Sequence, residues 1–419
     1  MMSGKWLYSL LIGSFLSAPA LCETNGGFNH SHQTPLPISA DLTLHEVVEK
    51  TWQRNPRIQV IQARLKHLEA LEKKATSLIA DDPRFSVNHY NDLLMNDDGL
   101  QEWEVGLEIP LWLPGQKYAQ QKSIEQRRNE VTVSQSAIKL QLAGIVRELL
   151  WQIALNKNSL EIAKQEWKTV KKLEQDVAKR VELGDLAQSD LILAKQETLA
   201  KEAALRQAEQ EYRHAQHHYD MVTDLHRIPK DFKEEASRST HLQNDHPALS
   251  LALEKVASQM ALRNQIMIEK RDNPSLFIGT RHERGSTDED FANAIGLHVN
   301  IPIGLHVHTT PKLTAAELEL TRKQSELELL RRKLDLQIQD THRELLVTRE
   351  QYAFAQRDYA LSKKHLKMAR KAFELGELSL LDLIRIQAKA FAAEQNLREK
   401  KLEIGLMTAR FNQALGILP

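Results

Sequence analysis

Two stretches of the chain alternate apolar and polar residues with period two. In the first, Trp103, Val105, Leu107, Ile109, Leu111 and Leu113 interleave with Glu104, Gly106, Glu108, Pro110 and Trp112. In the second, Ile295, Leu297, Val299, Ile301, Ile303 and Leu305 interleave with Gly296, His298, Asn300, Pro302 and Gly304. Such alternation predicts strands with one apolar face, each of about 11 residues, the length with which a tilted strand crosses a bilayer. Partner strands are expected around Phe85 to Leu93 and Leu276 to Glu283, turning through Asn96-Asp97-Asp98-Gly99 and Gly285-Ser286-Thr287-Asp288. A soluble, half-buried hairpin would show the same pattern.

Elsewhere the period changes to that of a helix. From Gln116 to Val181 there is no proline, and Ile138, Leu142, Ile145 and Leu149, then Trp167, Val170, Leu173, Val177 and Val181, recur at steps of three and four. This is a coiled-coil seam on a helix of roughly 65 residues, about 100 Å long at 1.5 Å per residue. Leu313 to Phe373 repeats it through Leu330, Leu334, Ile338, Leu345 and Phe354. Gly184 and Gly376 then turn the chain into return helices, Gln188 to Met221 and Leu380 to Leu415. Rods this charged cannot lie in lipid and project into water.

The two halves are copies of one plan. Pro56 to Pro83 and Pro247 to Pro274 both span 27 positions, and Pro110 to Gly184 and Pro302 to Gly376 both span 74. Glu182-Leu183-Gly184-Asp185-Leu186 answers Glu374-Leu375-Gly376-Glu377-Leu378, each followed by Asp190-Leu191-Ile192 or Asp382-Leu383-Ile384. Each copy reads as helix, two strands, very long helix, glycine turn, helix. The expected layout is a signal peptide over 1–20, a flexible leader over 21–40, a first repeat over 41–223, a linker over 224–244 and a second repeat over 245–419.

The signal peptide rests on Lys5, the apolar stretch Trp6 to Leu16 and the small residues Ala18-Pro19-Ala20. It directs export. Cys22 lies near the cleavage point behind Leu21, where a lipoprotein signal needs a small residue, so it reads as a plain thiol. As the single cysteine it also excludes an intrachain disulfide framework. Composition adds little basic excess for a nucleic-acid binder, with 56 Lys+Arg against 56 Asp+Glu. With only 16 Gly and 13 Pro, few breaks punctuate the chain. There is no Gly-rich phosphate loop, His-Glu-x-x-His or Cys-x-x-Cys, and no cofactor, metal or catalytic set is expected.

Four short strands with a lipid-type face cannot close a barrel, and open edges are not tolerated in hydrocarbon. Closure has to come from other subunits, and three copies would supply a 12-stranded barrel with an open lumen. The expected fold is therefore mainly α with a small β part. Each of its two repeats gives a β-hairpin to a trimeric transmembrane barrel and a long coiled-coil hairpin to a periplasmic tube.

At this point the chain resembles the TolC-type outer membrane factors, the trimeric efflux ducts. The residues that carry the resemblance are Thr43-Leu44-His45-Glu46 with Asn55-Pro56-Arg57-Ile58, and His246-Pro247-Ala248-Leu249. Val105-Gly106-Leu107-Glu108-Ile109-Pro110-Leu111, the exit Leu113-Pro114-Gly115-Gln116-Lys117 and the Gly184 and Gly376 turns complete it. The Pro-Gly-Gln-Lys exit is most similar to the branch serving heavy-metal efflux of the cobalt-zinc-cadmium type. The resemblance implies a homotrimer in outer-membrane lipid, with most of the chain in the periplasm. It implies a passive conduit that receives substrate, heavy-metal cations among the options, from a periplasmic adaptor (membrane fusion protein) and an inner-membrane pump of the RND type. The exit duct of a protein secretion system, and a periplasmic coiled-coil adaptor or scaffold, stay open as alternatives.

Ser379-x-x-Asp382 has the form of a helix-capping box. The resemblance also implies an acidic ring constricting the periplasmic aperture near this turn, which Asp382 matches, with Asp190 its counterpart in the first repeat. Arg385 stands where a second acid is usual, and a salt link from it would hold such a gate closed. The turns Leu183-Gly184 with Leu186, and Leu375-Gly376 with Leu378, are expected to dock the adaptor. Glu104, Glu108, His298 and Asn300 share the polar parity of the strands and are the lumen-lining candidates, where rings of carboxylate favour cations. His214 and His218 lie one turn apart on a helix and read as a solvated face.

Overall fold

The computed structural model describes residues 35–419; the predicted signal peptide and Cys22 lie outside the described residues. In chain order the elements are β1 (Ile38–Ser39), α1 (Leu44–Gln53), α2 (Arg57–Thr76), β2 (Arg84–Asn91), β3 (Gln101–Pro110), α3 (Gln116–Glu182) and α4 (Gln188–Thr223). They continue with β4 (Ile228–Pro229), α5 (Pro247–Ile268), β5 (Ser275–Arg284), β6 (Ala292–Asn300), α6 (His306–Glu374) and α7 (Leu380–Ala414). Helices dominate, and the duplicated plan is present in the expected order.

The first long helix forms nearly to the residue, while the second starts at His306, ahead of the expected Leu313, and carries Pro311 inside it. α3 has 67 residues and α6 has 69. Each ends in the same way. Leu183 caps α3, Gly184 takes φ 79°, its N–H donates to the Val181 carbonyl at 3.1 Å, and the Asp185 N–H reaches back to Arg180 at 2.8 Å. In α6, Gly376 at φ 78° donates to Phe373 at 3.1 Å and Glu377 to Ala372 at 2.8 Å. Both are Schellman turns, satisfying carbonyls that a helix end leaves free and requiring a residue at ease with positive φ.

The two hairpins lie side by side in one antiparallel sheet of order β2-β3-β5-β6, with β3 paired to β5 from Gln101↔Arg284 to Pro110↔Ser275. Because α2 and α5 enter the sheet and α3 and α6 leave it, all helices attach at one end and both hairpin loops lie at the other. The strands differ from expectation at that helical end. β3 stops at Pro110 and β6 at Asn300, whereas the alternation runs to Leu113 and Leu305. Pro302 lacks an N–H to donate to a ladder, so the pairing ends before it while the side-chain alternation continues.

Near the middle of α3, about 45 Å along the helix from the sheet at 1.5 Å per residue, α1 buries Leu44, Val47 and Val48 against Val146, Leu149, Leu150 and Ile153 of α3 and Tyr219 of α4. Thr43 starts α1 with a capping box, accepting from the Glu46 N–H at 3.2 Å while Glu46 accepts from the Thr43 N–H at 2.9 Å. The end of the predicted leader takes part in this region, since Ile38 and Ser39 pair in parallel with Ile228 and Pro229 of the predicted linker. Arg147 anchors the linker and the C-terminus to α3. Its buried guanidinium donates to Glu234 at 2.8 and 2.6 Å, to Gln413 at 2.6 Å and to the Ile417 carbonyl at 3.0 Å. Four of its five N–H donors are used in this way, and the Glu234 carboxylate compensates the buried charge.

Candidate functional site

The sheet separates two faces. Across it run the rows Phe85-Leu107-Ile278-Leu297, Val87-Val105-Thr280-Ile295 and Ile109-Leu276-Val299. This face is apolar yet uncovered, with Phe85 71%, Ile295 85% and Leu297 69% exposed. Towards the loops it ends in the row His89-Trp103-His282-Asn293, where His89 stacks on Trp103 at 3.9 Å. A soluble sheet would bury such a face; here, among the described residues, nothing covers it. Among the described residues, no helix is long and apolar enough to cross a membrane.

The opposite face carries the four lumen candidates, which the register brings together. Glu108 lies in the row Arg84-Glu108-Phe277-His298, Glu104 in the row Asn88-Glu104-Arg281-Ala294, and Asn300 opposite Ser275. Glu108 accepts from the Ser275 hydroxyl at 2.5 Å and Glu104 from Asn88 at 3.3 Å. Two members of this face escape a reading of the sequence, because β5 alternates less cleanly. Arg281 bridges Glu102 at 2.8 Å and Glu283 at 2.6 Å, placing a cation among the carboxylates. Phe277, an apolar residue of polar parity, lies flat over Gly106 and Gly279 and stacks on His298 at 4.4 Å. The available signal is glycine: Gly106, Gly279 and Gly296 fall in one row, and any Cβ on Gly106 or Gly279 would meet that ring.

At the far ends of the long helices the two turns share one core. Val177 and Ala194 of the first repeat pack with Ala369, Phe373, Leu380 and Leu383 of the second, with Leu186 and Leu378 against them. Leu183 and Leu375 point outward, 80% and 74% exposed. Arg180 ties the repeats, with its guanidinium 5.1 Å from the Phe373 ring, donating to the Phe373 carbonyl at 3.4 Å and facing Asp185 at 3.7 Å.

The gate candidates stay within their own turns. The Ser379 hydroxyl accepts from the Asp382 N–H at 3.1 Å and donates to its carboxylate at 2.7 Å, so Ser379 caps α7, with a side-chain bond to Asp382 in place of the backbone bond that would complete a capping box. Arg385 stands 3.7 Å from Asp382 on the same helix. Asp190 accepts from the Ala187 N–H at 3.3 Å, the converse bond, since Ala187 has no side-chain acceptor to cap α4. The Pro-Gly-Gln-Lys exit also has a structural task. Gly115 takes φ 79°, Gln116 accepts from the Leu113 N–H at 3.0 Å, and Lys117 donates to the carbonyls of Thr76 and Ser77 at 3.2 and 3.1 Å. His214 and His218 lie 6.5 Å apart, ring to ring, and among the described residues no group of three potential ligands is placed to hold a metal ion.

No protein-family model and no curated protein sequence matches the chain. Solved structures do. The outer membrane protein VceC of Vibrio cholerae superposes with a TM-score of 0.70 at 13% identity, over 89% of this chain and 96% of that one. The fold is that of the outer-membrane channels. The Campylobacter jejuni CmeC outer membrane channel agrees, with a TM-score of 0.69 at 14% identity over 97% and 94% of the two chains. So does CusC, described for conformational changes that accompany folding and transmembrane channel formation, with a TM-score of 0.72 at 15% identity over 89% and 92%. At such identities the agreement is one of architecture, and it covers both the channel-type sheet and the long helical hairpins.

Proposed function

We propose that the chain is one protomer of a trimeric outer-membrane exit duct, whose sheet joins two others in a closed barrel and whose helices extend it as a tube into the periplasm. The observation that carries this reading is the sheet: one exposed apolar face, one polar face, and free edges at β2 and β6. In hydrocarbon those edges have to be paired, and only further strands from like chains pair both at once. A periplasmic scaffold leaves the apolar face in water, which argues against that alternative.

The duct works without chemistry of its own, taking substrate from a periplasmic adaptor and an inner-membrane pump. The exposed Leu183 and Leu375 beside the two glycine turns are the docking points for the adaptor. Asp382 and Arg385, with Asp190 in the other repeat, stand at the periplasmic aperture. On the barrel wall Glu104 and Glu108 are accompanied by Arg281, so the polar face mixes charges and is no plain acidic ring for metal cations. Native mass in mild detergent, with bound detergent resolved, tests the proposal. Three mature subunits in a detergent belt are expected, and a detergent-free monomer would overturn it.

A further inference from the structure

The end of α6 nearest the Gly376 turn is basic in a way the repeat does not require. Lys363, Lys367, Arg370 and Lys371 follow one another at steps of four, three and one, so they fall on one side of the helix over about two turns. They line a groove of about 650 Å³ between α3, α6 and α7, with Tyr359 and Phe391 beside them. Gln165 and Thr169 of α3 form the opposite wall, and Phe391 and Ala390, each only 6% exposed, give it an apolar floor. A second chamber of about 400 Å³ adjoins it towards the tip and shares Thr169, Arg370 and Glu374.

Two observations separate this groove from an ordinary solvated face. The first is pairing. Nearer the start of α6, Arg322, Lys323, Arg331 and Arg343 each stand within 3.7 Å of a carboxylate one turn away, while Arg332, Lys333, Arg349 and Lys364 form no ion pair among the described residues, so what is particular to the groove is that its unpaired cations share one side of the helix. In the groove, Lys363 rests 5.7 Å from the Tyr359 ring, and among the described residues none of the four cations forms an ion pair. The acids that line it do not neutralise them: Glu394 is bridged to Arg398, and Glu374 stands alone against four. The second is the internal copy. At the matching positions of α3 the first repeat has Lys171 and Lys179, but Gln175 where the second has Lys367, Ala178 where it has Arg370, and Glu174 where it has Leu366. The same helix, ending in the same turn, is built without the extra charge, so the charge is not a demand of the fold.

We propose that this groove binds an organic anion: a flat apolar body against Phe391 and Tyr359, with a carboxylate, sulfonate or phosphate held by Lys367 and Arg370. Its volume lies within the range of about 300–1,000 Å³ typical of small-molecule sites, which are apolar with a few placed charges. Arg370 presents a planar fork suited to an oxyanion, and lysines around it raise the local anion concentration. A ligand seated there touches α3 of the first repeat and α6 and α7 of the second, and so bridges the two repeats near their tips.

The test is calorimetric titration of the full chain in a neutral detergent with 2-naphthalenesulfonate, and with the uncharged 2-naphthalenesulfonamide for comparison. One site per protomer is expected for the sulfonate, at least tenfold tighter than for the sulfonamide and weakened at least tenfold by Lys367→Gln with Arg370→Ala. Those two substitutions give the second repeat the residue types of the first, and the circular dichroism of the variant is expected to match the parent. Lys171→Gln in the first repeat leaves binding unchanged. Equal affinity for the two probes, binding that survives the double substitution, or no heat at millimolar sulfonate would each overturn the proposal. Oligomeric state is read separately by mass, so a trimer that fails to bind the sulfonate overturns the groove and not the duct.

Discussion

Gly376 and Gly405 answer two different demands on a residue without a side chain. Around Gly376 a Cβ would meet nothing within 4 Å, so the only requirement is its φ of 78°. Gly376→Ala should cost about 1–2 kcal/mol of strain, confined to the tip. Gly405 is helical, and a Cβ there would fall on the ring of Trp151, which is 3% exposed and packs edge-on against Phe232 at 5.0 Å. Gly405→Ala gains about 1 kcal/mol in helix propensity but overpacks the site by about 1–3 kcal/mol, so a lower denaturation midpoint is expected by urea unfolding. Asp382 has a local role in its turn and, in the proposed duct, a second one at the aperture. Asp382→Ala keeps the Ser379 cap, which uses the Asp382 backbone N–H, but removes a first-turn carboxylate worth about 0.3–1 kcal/mol at a helix N-terminus, its bond from the Ser379 hydroxyl and the contact with Arg385. In planar bilayers its resting conductance should rise; unchanged conductance with unchanged cation block would take Asp382 out of the gate.

At the scale of the element, α5 shows how burial makes a helix start sensitive to pH. His246 is 3% exposed and caps α5, its Nδ1 accepting from the Ala248 N–H at 3.2 Å. Burial pushes its pKa below the ordinary histidine value, against smaller upward pulls from nearby backbone carbonyls and the Asp245 carboxylate. The unfolded chain therefore takes up this proton first as pH falls below about 6.5, and stability is lost from there down to the folded pKa. His246→Asn, which keeps a capping acceptor, should match the parent in melting temperature at pH 7.5 and exceed its relative stability at pH 5. Elements of this kind differ in how plainly the sequence announces them. β3, α3 and the Gly184 turn are legible because one period, or one glycine, decides each. β5 is less so, since Phe277 breaks its alternation to cover Gly106 on the neighbouring strand and Gly279 on its own, a demand visible only once the register is known. The early end of β6 comes from Pro302, which breaks the ladder without disturbing the side-chain period. Of the tip residues, the sequence reveals the turns and the Ser379 cap. It hides Arg180, whose partner Phe373 lies in the other repeat, 193 positions away.

For the whole molecule, the outer side of α6 is the surface most in need of a partner. Leu318, Leu329, Leu336, Val347, Phe354, Leu361 and Met368 recur at intervals of seven and eleven, and all are exposed. These are the repeats of a second coiled-coil seam, opposite the one that buries Leu327, Leu334, Ile338 and Leu345. A neighbouring protomer would cover it. Phe354→Asp is expected to yield monomers with unchanged helical content, read by light scattering and circular dichroism; a persisting trimer would show that the seam faces something else. The tandem repeat has one more consequence. Three copies of a chain that is itself doubled present six nearly equivalent helical tips around one axis. Because Lys367 and Arg370 stand where the first repeat has Gln175 and Ala178, the tips alternate in charge. A ligand that reads only the glycine turns meets a pseudo-sixfold ring, whereas one that reads charge meets a threefold ring, and the stoichiometry of binding tells the two apart.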